Sequence, residues 1–186
     1  MEIHWGDGCQ LYITPVSASE VCVVLISRNQ RLRLDDALPQ FPEVARRLAG
    51  CEATLERGGV SASRRLKAVI RGNVALVGDA SGSVDAITGE GLCLLFQQAA
   101  ALAASLEAED LSRYQAEHRR IGKRPEFMAD LMLFLDTRGR LRRRTIRALA
   151  SKPALFRSML ALHVGELGTV QVFTSGMALG WQILTV

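Results

Sequence analysis

The 186-residue chain lacks the short motifs that most often betray a function. None of its four cysteines, Cys9, Cys22, Cys51 and Cys93, forms a C-x-x-C pair, so zinc ribbons and thioredoxin-like redox sites are excluded. The thiols read as reduced and mostly buried, and a Cys9–Cys22 meeting across a hairpin stays open. No G-x-x-x-x-G-K-[ST] and no G-x-G-x-x-G occurs, which removes the P-loop and the first dinucleotide fingerprint. Around Ser81 the chain reads Gly-Asp-Ala-Ser-Gly, so the G-x-S-x-G of a nucleophile elbow is missing too. The three histidines, His4, His118 and His163, are scattered and read as neither metal ligands nor general bases. No paired carboxylates stand at helical spacing in an apolar setting, so no catalytic acid or base is assigned.

A global excess of one charge sign is lacking. The net charge is +4, but six arginines lie between Arg138 and Arg147, and removing them leaves −2. The basic character is therefore local. It reads first as a solvated helix face with acidic neighbours, and second as a surface for anionic lipid head groups. Nucleic acid comes third and is not expected, because aromatics for base stacking are few nearby. The start, Met1-Glu2-Ile3-His4-Trp5, lacks a basic region and an apolar core, so the expectation is a cytoplasmic protein, with membrane association as the second option. From Leu167 to Val186 there is no charge, but Thr169, Gln171, Thr174, Ser175, Gln182 and three glycines (Gly168, Gly176, Gly180) make a poor spanning helix. A buried or interfacial tail is expected.

What is present begins with β-structure. Glu2–Trp5, the turn Gly6-Asp7-Gly8 and Cys9–Thr14 read as a hairpin, with Leu11 and Ile13 on one face and Tyr12 on the other. Val21–Ser27, dense in β-branched residues, is expected to be a well-covered strand. Asp35 or Asp36 opens a helix running to about Leu48, limited or broken by Pro39 and Pro42. Cys51–Ile70 reads as short extended segments. Val74–Val77 reads as an apolar strand of the kind found inside a parallel sheet. From Glu90, Leu92, Leu95, Phe96, Ala99, Leu102, Ala103 and Leu106 share one helical face. Asp110 caps a second helix to about Ile121, and Pro125 begins a third. An arginine-rich helix spans Leu141–Ala150, and Ser151 and Pro153 start a last one, which ends at Gly165.

The specific signal is the run Asn73 to Leu92. An apolar strand ends on Gly78-Asp79, a Gly/Ser loop follows, and Thr88-Gly89-Glu90-Gly91 opens an alanine-rich helix. Asp79, at the strand's carboxyl end, is placed to accept hydrogen bonds from a polyol. The amides near Gly89–Leu92 are placed to face negative charge, an interaction of ~0.3–1 kcal/mol at a helix terminus. The plain alternative is an ordinary strand-to-helix connection.

Gly78-Asp79-Ala80-Ser81-Gly82-x-x-x-x-x-Thr88-Gly89-Glu90-Gly91 closely resembles the second FAD-binding motif of the geranylgeranyl-reductase-like and aromatic-hydroxylase-like (monooxygenase) flavoproteins. The likeness is specific over about fourteen residues; many relatives have proline where this chain has Ala86. The resemblance implies FAD as cofactor and Gly78, Asp79, Ala80, Gly89, Glu90, Gly91 and Leu92 as its binding residues. Asp79 would hold the ribityl chain, and the helix start would face the pyrimidine edge of the flavin ring. It also implies an α+β chain that is a fragment of an α/β FAD-binding fold. Residues 1–70 would be a substrate-domain-like sheet with one helix, 71–108 the second FAD motif, and 109–186 a helical region. The substrate would be an apolar or aromatic small molecule lined by Trp5, Tyr12 and Pro15. These families hold the ADP half of FAD on an N-terminal G-x-G-x-x-G unit that this sequence does not contain. The chain therefore reads as the C-terminal part of such an oxidoreductase, with a dinucleotide-binding segment from another chain as partner, and is expected to bind FAD weakly or not at all alone. The alternative is a truncated, non-enzymatic remnant or binding module.

Overall fold

The structure is a computed structural model that describes residues 1–165 and 169–185, apart from the side chains of 163, 169–173 and 184. The readings of His163, Leu167, Gly168, Thr169 and Gln171 fall on residues or side chains outside that set. The chain is of mixed α+β class and forms two compact units, Met1–Val60 and Ser61–Val186.

In the first unit, β1 (Glu2–Trp5), β2 (Cys9–Pro15) and β3 (Val21–Ser27) form an antiparallel meander with β2 in the centre. The register Trp5↔Gln10 and Thr14↔Cys22 puts Cys9, Leu11 and Ile13 on one face. There they pack with Ala37, Phe41 and Val44. Ala37 ends α1 (Leu34–Ala37), Val44 lies in α2 (Pro42–Leu48), and Phe41 joins α2 to the 3-10 turn Leu38–Gln40. Pro39 and Pro42 break the expected single helix in two, since each lacks a backbone N–H and Pro42 is tolerated as a first residue. Arg47 on α2 forks onto Glu2 of β1 at 2.7 and 2.9 Å, and this guanidinium holds the Glu2 carboxyl down to about 2.

Two expectations, the cover of β3 and the burial of the thiols, are corrected, and the open Cys9–Cys22 question is answered. β3 is an edge strand with Val21 and Val24 both about half exposed, so it is not well covered. Cys9 pairs with Ser27 and Cys22 with Thr14, so these two thiols do not meet across the hairpin. Cys9 is buried, but Cys22, Cys51 and Cys93 are exposed.

The second unit opens with short pairings. β4 (Arg64–Arg65) pairs with β7 (Gly82–Ser83), and β5 (Ile70–Arg71) with β6 (Val74–Ala75), all antiparallel. Val74–Val77 is therefore not an inner strand of a parallel sheet. Only Val74 and Ala75 are in a ladder, their partner is the adjacent hairpin arm, and Val74 is exposed.

Then come α3 (Gly91–Glu107), α4 (Leu111–Asp136), α5 (Gly139–Ser151), α6 (Pro153–Val164) and α7 (Thr169–Thr185). Asp110 caps α4 through its Oδ1, which accepts from the Ser112 amide. Pro125 starts no new helix. It sits inside α4, fully buried, so ring packing offsets the backbone hydrogen bond it cannot donate. Gly165 ends α6 in the left-handed conformation, as its position suggested. No helix among the described residues is long and apolar enough to cross a membrane.

The face of α3 is a further correction. Its buried residues are Leu94, Gln98 and Ser105, whereas Leu92 is 71% exposed, Phe96 68% and Leu106 57%. Leu92, Phe96 and Leu106 of the expected stripe point outward, Leu95 and Leu102 are half-buried, and a partly polar stripe points in.

Candidate functional site

The segment Gly78–Gly91 is held on three sides by its own unit. Beneath it lies the first half of α4. The Tyr114 hydroxyl donates to the Leu76 carbonyl at 2.7 Å, and the Gln115 Oε1 accepts from the Val69 amide at 2.9 Å. Beside it runs the strip 61–65. The Ser83 hydroxyl donates to the Ala62 carbonyl at 2.7 Å, while Ser63 and Ser61 accept from the amides of Asp85 and Ala86 at 3.1 and 3.0 Å. Gly82 has φ +124°, and a Cβ there would stand 2.6 Å from the Arg64 carbonyl oxygen, so only glycine fits this pairing. The Arg64 guanidinium donates to the backbone oxygen of Asp79 at 2.7 Å.

Behind the segment stands a buried polar brace. Gln98 of α3 accepts the Gly78 amide on Oε1 at 2.7 Å. The Ser81 hydroxyl lies 2.8 Å from the Gly78 carbonyl and 3.2 Å from Gln98 Oε1, and both are acceptors. Its single proton is committed to them. The His118 Nε2, 2.8 Å from the same oxygen, is therefore the donor. Burial pushes the His118 pKa below 6.5 and so favours the neutral ring, with its proton on Nε2. Ser81 is 1% exposed and its histidine donates rather than accepts, so the pair braces the turn and is not an activated nucleophile. Tyr114, edge-on to His118 at 5.8 Å between ring centres, completes the floor; its burial raises the phenol pKa.

The brace fixes the turn. Gly78–Ser81 is one 3-10 turn, entered at Gly78 with φ +57°. Asp79 and Ala80 are carried on its exposed side, and the Asp79 carboxylate makes no hydrogen bond or ion pair among the described residues. After β7, Asp85 Oδ1 caps the turn Ala86–Thr88 through the Ile87 amide at 3.1 Å, with Ile87 anchored in the core. Gly89 is left-handed at φ +69°, and Glu90 is the N-cap of α3. The first intrahelical donor is the Leu94 amide, to Glu90 at 2.9 Å, so the amides of Gly91, Leu92 and Cys93 have no acceptor within the helix. Thr88 Oγ1 and Glu90 Oε2 beside them are buried without a hydrogen-bond partner. The other Glu90 oxygen lies 3.7 Å from Arg124.

The turn thus brings Gly78, Asp79 and Ala80 to one end of a short segment and Gly89, Glu90, Gly91 and Leu92 to the other. Two sets of unsatisfied groups result: a carboxylate acceptor at Asp79, and amide donors at the start of α3. Trp5 borders a cavity of about 370 Å³ in the first unit, together with His4 and Phe41. Tyr12 is buried with its hydroxyl donating to Gln10 at 3.0 Å, and Pro15 is exposed at the end of β2. A larger groove, about 570 Å³, runs between α3 and α4, lined by Gln97, Ala101, Arg113 and Arg120 among others, and includes no motif residue. Among the described residues no cluster of three or more His, Cys, Asp or Glu could hold a metal ion.

The reading of the residues alone missed Gln98, Ser81, His118 and Tyr114. Tyr114 and His118 are four apart on a helix and so share a face, and Gln98 interrupts an otherwise apolar-rich helix. Neither signal says which turn they meet. Compared with known proteins, the chain matches no family model, no curated protein and no solved structure.

Proposed function

We propose that the second unit is the flavin-facing part of an FAD-dependent oxidoreductase, monooxygenase-like or reductase-like, acting on an apolar or aromatic small molecule. The observation that carries this reading is the pairing of an unengaged Asp79 carboxylate with the open amides of Gly91, Leu92 and Cys93 across one braced turn. The resemblance of Gly78–Gly91 to a second FAD motif supports it. Asp79 would accept from ribityl hydroxyls, and the α3 amides would face the electron-rich edge of the ring. When bound, the flavin supplies hydride and electron transfer. This chain's part is to orient it and hold polar groups beside it.

The outward apolar stripe of α3, Leu92 and Phe96 above all, supports the need for a further segment to complete the site. A dinucleotide-binding segment is the partner that the reading assigns. The same bare stripe also favours the second reading, a remnant or binding module that keeps the core of the fold without holding FAD.

Titration of the purified chain with FAD, followed by flavin absorbance, separates them. The flavin reading expects weak, saturable binding that drops about tenfold or more in Asp79→Ala, since a hydrogen bond to a charged group contributes ~1.5–3 kcal/mol. Equal binding by both proteins overturns the site; no binding by either, even with a dinucleotide-binding segment supplied as a second chain, favours the remnant.

A further inference from the structure

From Thr137 to Gly165 the chain holds eight cationic side chains and not one carboxylate. A solvated basic face normally carries acidic neighbours, and here they are missing. Arg142 turns inward and lies 3.8 Å from Asp136, the last acidic residue before the stretch. Arg138 stacks on Phe134 at 3.9 Å. The others on α5 point away. Arg140, Arg143, Arg144 and Arg147 fall at i, i+3, i+4 and i+7 and so share one exposed face, with Arg144 bordering the buried Ala148. They are exposed and have no ion pair among the described residues. Like charges at this spacing repel one another and destabilise a helix, unless an anionic partner offsets them.

The helices packed against α5 add a second property. α6 exposes Phe156, Leu160 and Val164 at i, i+4 and i+8, and α7 exposes Met177 and Trp181, the last at 70%. Nucleic acid would use the arginines but has no use for exposed aliphatic side chains on the adjoining helices. A protein partner of acidic character would pair with the arginines but would not account for Phe156, Leu160 and Val164 lying exposed in one row along α6. Arginines beside an exposed aromatic and aliphatic stripe, on helices too short or too polar to span, are the pattern of an interfacial surface.

We propose that α5, α6 and α7 form a peripheral docking surface for an anionic phospholipid bilayer. The arginines of α5 meet the head groups, and Phe156, Leu160 and Trp181 enter the boundary of the acyl region. This surface is independent of the flavin reading.

Co-sedimentation of the full chain with vesicles tests it, using phosphatidylcholine alone and phosphatidylcholine mixed with phosphatidylserine. The bound fraction is expected to partition at least about tenfold more strongly onto the phosphatidylserine vesicles at low salt, as each basic residue near such a surface adds to the attraction. The triple variant R143Q/R144Q/R147Q should lose that preference. L160S/W181S, altering exposed residues only, should keep the preference but bind several-fold more weakly. Circular dichroism confirms that both variants fold. Equal partitioning to the two vesicle types, or wild-type partitioning by the triple variant, overturns the proposal. So does absence of vesicle binding together with retardation of a DNA duplex that the arginine variant abolishes.

Discussion

Gly78 and His118 show how single residues hold the candidate site. Gly78 is left-handed, and a Cβ would stand 2.9 Å from Leu95 Cδ1. Gly89 is also left-handed but has open space around it. Both alanine variants should lose the ~1 kcal/mol that the conformation costs an L-residue, and Gly78→Ala should lose more, ~2 kcal/mol in all. Urea midpoints of the two variants check the order. For His118 the sign follows from burial. The folded state resists protonation and the unfolded chain does not, so the contribution is fully present above the ordinary pKa of 6.5. It is lost as pH falls through the lowered folded value. Glu2 and Asp110 titrate well below that, from 4.5 and 3.8 downward. Urea unfolding at about pH 7.5 and about pH 5.5 leaves those two carboxylates ionised throughout, and the drop in stability across this window should shrink in His118→Gln relative to the unsubstituted chain, His4 and His163 being common to both. An unchanged drop would remove His118 from the buried brace. Ser81 was legible only as part of a loop motif, because its burial depends on a helix more than thirty residues away.

At the scale of elements, α3 decides most. Periodicity placed its apolar stripe correctly along the helix but assigned it to the core, because apolar faces usually are core. The fold instead turns Gln98 and Ser105 inward, where Gln98 meets the amide of Gly78. Gln98→Leu, close in size, should cost ~1–3 kcal/mol by leaving that amide without its acceptor. By contrast L92S/F96S should change monomer stability by less than about 0.5 kcal/mol, since both side chains are exposed. Thermal or urea unfolding of the pair reads this directly; a loss of several kcal/mol for the double variant would mean the stripe is core after all. The same contrast explains the short strands. Val74 and Ala75 have the composition of inner-sheet residues, but the only ladder they join is their own hairpin.

At the scale of the whole molecule, the two proposed surfaces lie on different elements and should respond separately. The triple arginine variant of α5 should leave the FAD titration unchanged within about twofold, and Asp79→Ala should leave vesicle partitioning unchanged within the same margin. Crossed effects, measured by the same absorbance and co-sedimentation assays, would show that the two are one surface. The sequence by itself determined whatever rests on local rules. These were the hairpin turns, the breaks at Pro39 and Pro42, the cap at Asp110, the stop at Gly165 and the Gly78–Gly91 turn leading into a helix. Each depends on the φ preferences and hydrogen-bonding groups of a few neighbouring residues. Only the tertiary structure decided which face of α3 is inside, that α4 runs through Pro125, that β3 is an edge, and that Ser81, Gln98 and His118 converge. Those outcomes depend on long-range packing partners, which no local window contains.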